Sequence, residues 1–346
     1  MNVRRLVKKN VLRLNAYNAR EIPCRVKLDA NESPYGFAKS LKNVSGIHTN
    51  RYPDPEATAL RMIIAKDLRV KPENILHGNG SDEFIYYLVT TFGGPVLYPV
   101  PTFSMYGIIS RALEEKIVEI PLDTAFDLDL QKILGLIKKK NPKIIFLSRP
   151  NNPTGNCFSQ RRIQEVIQAT KGIVVVDEAY LPFSDQSGFL PFIRTYKNLI
   201  VMRTLSKIGL AGLRIGFLIA GSEIIREVNK VRLPYNVNSL SQAVAVKALK
   251  DKKSLRTVIA KITTERKKLF AAMDKIPNIT PFPSEANFIL FETGNAAAVY
   301  SALIKKGVLV KNINDIMKGC LRVTVGTPRE NTFFLKTLKE VLAKNW

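Results

Sequence analysis

Short apolar runs alternate with helical patterns through the middle of the chain. Between Pro95 and Gly221 the runs are nearly continuous in Val, Ile and Leu, which is typical of strands that are covered on both faces. The predicted strands span 96–98, 116–120, 143–147, 172–176, 199–202 and 215–219. Because helical patterns separate them, we expect crossover helices and a mostly parallel α/β sheet.

The last third of the chain has a different order of elements. A long helical pattern runs from about 255 to 275, and three predicted strands (287–291, 308–311 and 321–325) and two predicted helices (296–306 and 329–344) follow. This pattern predicts a separate, smaller α+β domain. We therefore expect an N-terminal segment that joins the small domain (1–40), a large domain (41–240) and a small C-terminal domain (241–346).

Polar side chains follow three successive predicted strands at the point where each strand ends. In chain order they are Asn152, then Asp177 with Tyr180, then Lys207. Ligands of open α/β sheets bind in the crevice outside the carboxyl ends of the strands. We therefore expect an amide, a carboxylate with a phenol, and a lysine to face one crevice.

Lys207 lies between two apolar runs, where a lysine is unusual unless it has a task. Desolvation makes a lysine amine a better nucleophile toward a carbonyl group. Ser206 and Arg214 lie on either side of it and can hold a phosphate. An amine for an aldehyde and a clamp for a phosphate together suit pyridoxal phosphate (PLP). An ordinary Ser/Lys turn with a surface arginine is the alternative for this stretch alone.

The three strand ends also match the ring of that cofactor. An ionised Asp177 would keep the pyridine nitrogen protonated, while Asn152 and Tyr180 can hydrogen-bond the phenolic oxygen. Each motif alone has a structural explanation, since Asn-Pro-Thr-Gly is a good turn and Asp-Glu often begins a helix. Their joint occurrence on one sheet edge favours the cofactor site.

The net charge of the chain bears on which partners we expect. The 346 residues carry a net charge of +24, from 53 Lys and Arg against 29 Asp and Glu. The basic residues are scattered along helical stretches, which indicates solvated helix faces rather than a nucleic-acid surface, so we predict no nucleic-acid partner. The charge would also attract anionic, phosphorylated substrates.

The apolar runs, the cysteines and the histidines argue against a membrane protein, a disulfide framework and a metal site. No run of about eighteen apolar residues occurs, so we predict no contact with a membrane. Cys24, Cys157 and Cys320 are far apart, which favours a reducing cytoplasm over a disulfide framework. With only His48 and His77 in the chain, we predict no metal site.

The motifs resemble those of the aspartate-aminotransferase fold, fold type I, of PLP enzymes. They are Asn-Asn-Pro-Thr-Gly (151–155), Val-Val-Asp-Glu-Ala-Tyr (175–180), Thr-Leu-Ser-Lys (204–207) and Gly-Leu-Arg (212–214). Flanking motifs are most similar to the histidinol-phosphate aminotransferase family. These are Leu-Asp-Ala-Asn-Glu-Ser-Pro-Tyr-Gly (28–36), Arg-Tyr-Pro-Asp-Pro (51–55), Gly-Ser-Asp-Glu (80–83), Pro-Thr-Phe (101–103) and Cys-Leu-Arg-Val-Thr-Val-Gly-Thr (320–327). The resemblance covers essentially the whole chain.

The resemblance implies a role for each cofactor residue. Lys207 would bond covalently to PLP and then move the proton of the substrate, while Asp177 would pair with the pyridine nitrogen. Asn152 and Tyr180 would contact the phenolic oxygen. The remaining implied cofactor residues are Ser81, Asp82, Ser206 and Arg214 on the phosphate, Thr204 beside them, Phe103 stacked on the ring, and Tyr52 from a neighbouring subunit.

The resemblance also implies the substrate residues and the assembly. Arg322 would clamp the substrate anion, helped by Tyr17 and Lys311, and Asn31 would lie nearby. Because Tyr52 would reach across to the partner's site, a homodimer with shared sites is implied.

Three departures from the family pattern affect these roles. Arg214 follows Lys207 by seven residues where many relatives have eight. Phe103 replaces a common tyrosine, which removes a hydroxyl but keeps a stacking ring. Lys311 stands where some relatives have arginine, so a point charge replaces a bidentate fork.

The implied activity is transfer of an amino group between histidinol phosphate (with imidazole acetol phosphate) and glutamate (with 2-oxoglutarate), in cytoplasmic histidine biosynthesis. An aromatic-amino-acid aminotransferase and a threonine-phosphate decarboxylase use the same fold and remain open. A nucleic-acid-binding protein without enzyme activity is a third alternative, which only the charge supports.

Overall fold

The computed structural model describes residues 2–14, 22–37 and 47–343. The strands are β1 Val26–Leu28, β2 Ile75–Asn79, β3 Val96–Val100, β4 Ile117–Pro121, β5 Ile144–Ser148, β6 Ile173–Asp177, β7 Leu199–Thr204, β8 Ile215–Ile219, β9 Ile279–Pro281, β10 Phe288–Thr293, β11 Val308–Asn312 and β12 Cys320–Thr324. The α-helices are α1 Thr58–Leu68, α2 Ser81–Phe92, α3 Met105–Ala112, α4 Leu130–Lys140, α5 Gln160–Ala169, α6 Ser222–Asn229, α7 Ser239–Lys250, α8 Lys252–Met273, α9 Ala296–Lys305 and α10 Pro328–Leu342.

The larger sheet has seven strands in the order β2-β8-β7-β6-β5-β3-β4. The neighbours from β7 to β4 are parallel, and β8 is antiparallel to both β2 and β7. Every residue of β5 and β8 is buried, which explains their continuous apolar runs. The predicted α/β class and mostly parallel sheet are confirmed, while β2 was not predicted and the direction of β8 differs from its neighbours.

Local signals agree with the helix boundaries in this sheet. The side chains of Asp129 and Ser159 accept hydrogen bonds from backbone N–H groups in the first turns of α4 and α5. Asn238 does the same for α7. Ile133 and Ile137, the buried residues of α4, belong to the same apolar core as Ile145 and Leu147 of β5.

The smaller sheet has five strands in the order β1-β11-β12-β10-β9. β1 is parallel to β11, and the other neighbours are antiparallel. An N-terminal strand therefore completes a sheet whose other strands come from the last third of the chain. In this sheet Lys311 of β11 and Arg322 of β12 are direct cross-strand partners.

Hydrogen bonds to backbone carbonyls join the two sheets beside the ends of the large-sheet strands. The Glu285 N–H donates to the Gly155 carbonyl at 2.7 Å, and the Arg266 guanidinium of α8 donates to the carbonyls of Phe183 and Ala286 at 2.9 Å each. Gly155 has φ +81°, and a Cβ there would meet Ser284 Oγ at 2.6 Å, so glycine is required. In the described part of the chain, no helix is both long enough and apolar enough to cross a membrane.

Candidate active site

A cleft of about 450 Å³ lies where the carboxyl ends of the large-sheet strands meet the small sheet. Of the residues predicted from the sequence, those that line it are Asn31, Ser81, Asp82, Phe103, Asn152, Asp177, Tyr180, Thr204, Ser206, Lys207, Arg214, Lys311 and Arg322. The parallel register places the last residue of β6, Asp177, beside Ser148 of β5 and Met202 of β7. The fold therefore brings the side chains predicted at the strand ends into one crevice.

Asp177 is a buried carboxylate, with only 4% of its surface exposed. Its Oδ1 accepts from the Ala179 N–H at 3.0 Å, and its Oδ2 accepts from the Tyr106 hydroxyl at 2.7 Å. Burial raises the pKa of Asp177 to about 6, because desolvation disfavours the ionised form more than these two neutral donors favour it. A cation in the cleft would stabilise this carboxylate further.

Lys207 lies in a 3₁₀ turn, Ser206–Ile208, directly after β7. Gly209 ends the turn with φ +101°, and a Cβ there would meet the Tyr35 carbonyl oxygen at 2.5 Å. The Lys207 ammonium lies 5.7 Å from the centroid of the Tyr180 ring and 3.5 Å from the Ala30 carbonyl oxygen. A half-buried amine therefore faces the cleft from the strand next to Asp177.

The N-terminus of α2 and the Arg214 side chain form an anion cradle. Gly80 caps α2 with φ +83°, and a Cβ there would clash with the Arg214 guanidinium. Arg214 Nη2 lies 3.2 Å from Asp82 Oδ2, and Nη1 lies 3.4 Å from Ser206 Oγ, which is 2.9 Å from the Thr204 hydroxyl. Backbone N–H groups at a helix N-terminus and a guanidinium suit a phosphate. Arg214 reaches the cradle although it follows Lys207 by only seven residues.

Arg322 brings a further positive group to the cleft, from the small sheet. The side chain is buried, donates from Nη1 to Asn152 Oδ1 and from Nη2 to the Asp29 carbonyl at 2.7 Å, and stands opposite Lys311. Ile313 also lines this part of the cleft. An anion with an apolar group next to it would match this end.

Asn31 links the N-terminal segment to both sheets. It has φ +54°, a left-handed conformation that asparagine tolerates. Its Nδ2 donates to the Tyr180 hydroxyl at 3.0 Å, and its backbone N–H donates to Thr324 Oγ1 at 3.0 Å. Asn287 Nδ2 in turn donates to the Asn31 carbonyl at 2.9 Å. The Tyr180 phenol is therefore held toward the cleft by a buried contact.

Of the predicted residues that the structure describes, Tyr52 does not join this set. Tyr52 is 80% exposed and stacks on Tyr235, with ring centroids 4.4 Å apart, away from the cleft of its own chain. Tyr17 lies outside the described residues.

Sequence reasoning missed several lining residues and one buried contact. Thr102, Met105, Ser148 and Ile316 also line the cleft. Tyr106 contacts Asp177 from α3, where its place in an apolar helical pattern indicates only a core residue. For the lining residues the available signal was proximity in sequence to a predicted strand end or motif.

A larger groove of about 800 Å³ lies at the edge of the small sheet, away from these groups. Its lining is mostly small and amide side chains, with Glu292 and Lys318 as the charged ones. The 450 Å³ cleft, not this groove, gathers the buried carboxylate, the amine and the two arginines.

Comparison with known proteins agrees with this geometry. The model of the family described as aminotransferase class I and II matches residues 10–338. The chain belongs to this family of aminotransferases. Within the family it is 42% identical to a histidinol-phosphate aminotransferase of Aquifex aeolicus, and the match covers 97% of this chain and 98% of the relative.

Solved structures extend the similarity of fold. A histidinol-phosphate aminotransferase of Sinorhizobium meliloti in complex with pyridoxal-5'-phosphate superposes with a TM-score of 0.87 at 24% identity, covering 97% of each chain. An L-threonine-O-3-phosphate decarboxylase of Porphyromonas gingivalis gives 0.80 at 24% identity, covering 92% of this chain and all of that one. At this identity the two structures show a shared fold, which hosts more than one reaction.

Replacing Asp177 by asparagine should stabilise the cofactor-free protein at pH 8. The folded-state pKa of about 6 exceeds the ordinary 3.8, so the folded protein holds a proton between these pH values that the unfolded chain has released. The contribution of this group to the free energy of unfolding therefore falls as pH rises, by about 3 kcal/mol in total. The asparagine amide carries no charge, so the variant avoids the cost of ionising a buried carboxyl group.

Urea unfolding of the apoprotein at pH 4 and pH 8 measures this effect. The gain of Asp177→Asn over the unsubstituted protein should be present at pH 8 and nearly absent at pH 4. Asp185→Asn, at an exposed carboxylate, should change stability little at either pH. An Asp177→Asn protein that is less stable than the parent at pH 8 would contradict the assignment of a costly buried charge.

Proposed function

We propose that this chain is a PLP-dependent histidinol-phosphate aminotransferase of histidine biosynthesis. It would transfer an amino group between histidinol phosphate and 2-oxoglutarate. The observation that carries the proposal is that one cleft joins a buried carboxylate and a lysine, from adjacent strand ends, to an arginine of the small sheet. The 42% identity over nearly the whole chain supports the choice of substrate.

The residues present fit PLP. The oxygens of Asp177 accept from two neutral donors, Tyr106 and Ala179, so a protonated ring nitrogen is the charge partner that this carboxylate suits. The cradle at Gly80 and Arg214 leaves no room for a Cβ and offers backbone N–H groups and a guanidinium to a phosphate. Asp177 and the cradle line the same continuous cleft, so one cofactor would contact both.

When bound, PLP supplies an aldehyde and a ring that withdraws electrons from the substrate. Lys207 would supply the amine that holds the cofactor, and its Nζ, once the substrate amine has displaced it, would be the base that moves the proton of the substrate Cα. Asp177 would keep the ring nitrogen protonated. The phosphate would be held by Arg214, by Ser206 with Thr204, and by the first turn of α2 at Ser81 and Asp82.

The other cofactor residues orient the ring. Asn152 and Tyr180 would contact its phenolic oxygen, with Asn152 already held by Arg322 and Tyr180 by Asn31. Phe103, half-buried beside the cleft, would stack on the ring face. Because their partners fix these groups before any ligand binds, little reorganisation is needed on binding.

Arg322 would bind the substrate anion, with Lys311 beside it and Asn31 close by. The guanidinium is held by Asn152 and the Asp29 carbonyl, so its charge is presented at a fixed position. Ile313 and Ile316 give the same end an apolar wall, which suits an imidazole ring. A phosphorylated substrate accepts Lys311 as a point charge more readily than a carboxylate would.

The proposal includes a homodimer in which Tyr52 of one subunit reaches the site of the other, and in which Tyr17 contacts the substrate. The exposed Tyr52–Tyr235 pair supports it, because large exposed aromatic side chains mark interaction surfaces. It also includes a cytoplasmic location and the division into residues 1–40, 41–240 and 241–346. The pairing of β1 with β11 supports joining the first segment to the small domain.

An absorbance spectrum of the PLP-loaded protein tests the activity. Histidinol phosphate, added without any keto acid, should convert the near-visible band of the cofactor to that of its amine form. Phosphothreonine should instead release carbon dioxide if the chain is a decarboxylase, and phenylalanine should give the faster conversion if it is an aromatic aminotransferase. A band that does not change with histidinol phosphate would refute the proposed substrate.

Arg322→Met should raise KM for histidinol phosphate by roughly a hundredfold, because a charge-assisted pair with two hydrogen bonds is lost. Lys311→Met, at the exposed cross-strand partner, should raise it less than about tenfold. Steady-state kinetics on both variants, with PLP saturating, measures the difference. A larger effect at Lys311, or an Arg322 effect on PLP affinity rather than on KM, would mean that Arg322 does not hold the substrate anion.

A further inference from the structure

Tyr106 is a fully buried phenol that lies behind the floor of the cleft. It belongs to α3, and its ring stacks on Phe146 of β5 with centroids 4.6 Å apart and planes 4° from parallel. Phe103 contacts the same ring edge-on at 5.6 Å. The Tyr98 ring is a third neighbour, tilted by 53° at 6.3 Å. Three aromatic contacts leave the ring one orientation, so the position of its hydroxyl is fixed by packing.

That hydroxyl points at the carboxylate of the site. The Tyr106 O–H donates to Asp177 Oδ2 at 2.7 Å, while the Ala179 N–H donates to Oδ1. With one donor on each oxygen, rotation of the carboxyl group about its Cβ–Cγ bond would break both hydrogen bonds. The plane of the carboxylate is therefore set jointly by a backbone group and by Tyr106.

We propose that Tyr106 is a positioning residue, whose hydroxyl holds Asp177 ionised and correctly oriented toward the ring nitrogen of the cofactor. The inference rests on the proposed function, because it assigns Asp177 to PLP. It adds a residue that does not line the cleft and acts only through Asp177.

The charges around Asp177 show why such a donor matters. Burial, with Asp82 and Glu178 nearby, disfavours the ionised form of Asp177, and the Tyr106 hydrogen bond opposes their effect on its pKa. Burial and the adjacent Asp177 charge raise the pKa of Tyr106 well above its ordinary value, with smaller effects from Ser148 and Tyr180. The phenol therefore stays protonated and remains a donor across the working range of pH.

Tyr106→Phe tests this role, because it removes only the hydroxyl and keeps the three ring contacts. Titration of the apoprotein with PLP should show a Kd raised by about 10- to 100-fold, since a hydrogen bond to a charged group is lost. The matched control is Tyr98→Phe. Tyr98 is also buried and donates to a carboxylate, Glu119, at 2.7 Å, but that pair lies outside the cleft. Its ring contacts that of Tyr106, and phenylalanine keeps this contact. Removal of the Tyr98 hydroxyl should leave the Kd for PLP within about twofold.

A double-mutant cycle separates positioning from a general loss of structure. In an Asp177→Asn background there is no charge for the hydroxyl to stabilise, so Tyr106→Phe should change the Kd for PLP less than about twofold. This double variant also tests the idea if the single one folds poorly. Equal effects of Tyr106→Phe in the two backgrounds would overturn the inference, because the hydroxyl would then not act through Asp177.

The outcomes for the two proposals can be told apart. If the unsubstituted apoprotein binds PLP tightly and Tyr106→Phe binds it equally well, the positioning role is wrong and the proposed function stands. If the unsubstituted protein fails to bind PLP at all, the proposed function is wrong, and the inference falls with it.

Discussion

The Asp177 carboxylate, buried at the end of a central strand, is the constraint on which the rest of the site depends. Keeping a charge there is unfavourable unless the surroundings supply donors and a cation. β6 lies between β5 and β7 in the sheet, so the neighbouring strand ends and the turns after them surround this group. The lysine comes from one neighbour and the asparagine from the other. A stability cost in the cofactor-free protein is thus the physical counterpart of affinity for a cationic ring.

The two sheets divide the work of the cleft. The seven-stranded sheet supplies the carboxylate, the lysine and the anion cradle, while the five-stranded sheet supplies Arg322 and Lys311. Hydrogen bonds cross between them, from Arg322 to Asn152 and from Asn31 to Tyr180. The substrate-binding arginine therefore contacts a residue that would touch the cofactor. A change at either end of this pair would be felt at the other.

The sequence predicts the strands whose apolar runs are long, and it misses those whose runs are interrupted. β2 contains His77 and Gly78, which break an otherwise apolar stretch, and β1 has only three residues with a lysine in the middle. The pattern of a buried strand carries no information on its direction, so the antiparallel pairing of β8 was not foreseen. Only tertiary contacts decide these points.

The same distinction applies to the site. Residues at strand ends and in motifs were predictable, because the chemistry of their side chains is unusual at those positions. Tyr106 was not, because a tyrosine in an apolar helical pattern is typical of the core, and only the packing of α3 on the sheet brings it to Asp177. For Arg214 there was reason in the sequence to doubt a role, because its spacing from Lys207 departs from the family pattern. Its guanidinium nevertheless reaches Ser206 and Asp82.

Cofactor binding by a single lysine among the many basic residues of this chain is the part of the proposal on which the other roles depend. Borohydride reduction of the PLP-loaded protein, followed by peptide mass mapping, tests it most directly. We expect a single stable adduct, on the peptide that contains Lys207. An adduct on another lysine, several partial adducts on surface lysines, or none at all would contradict it.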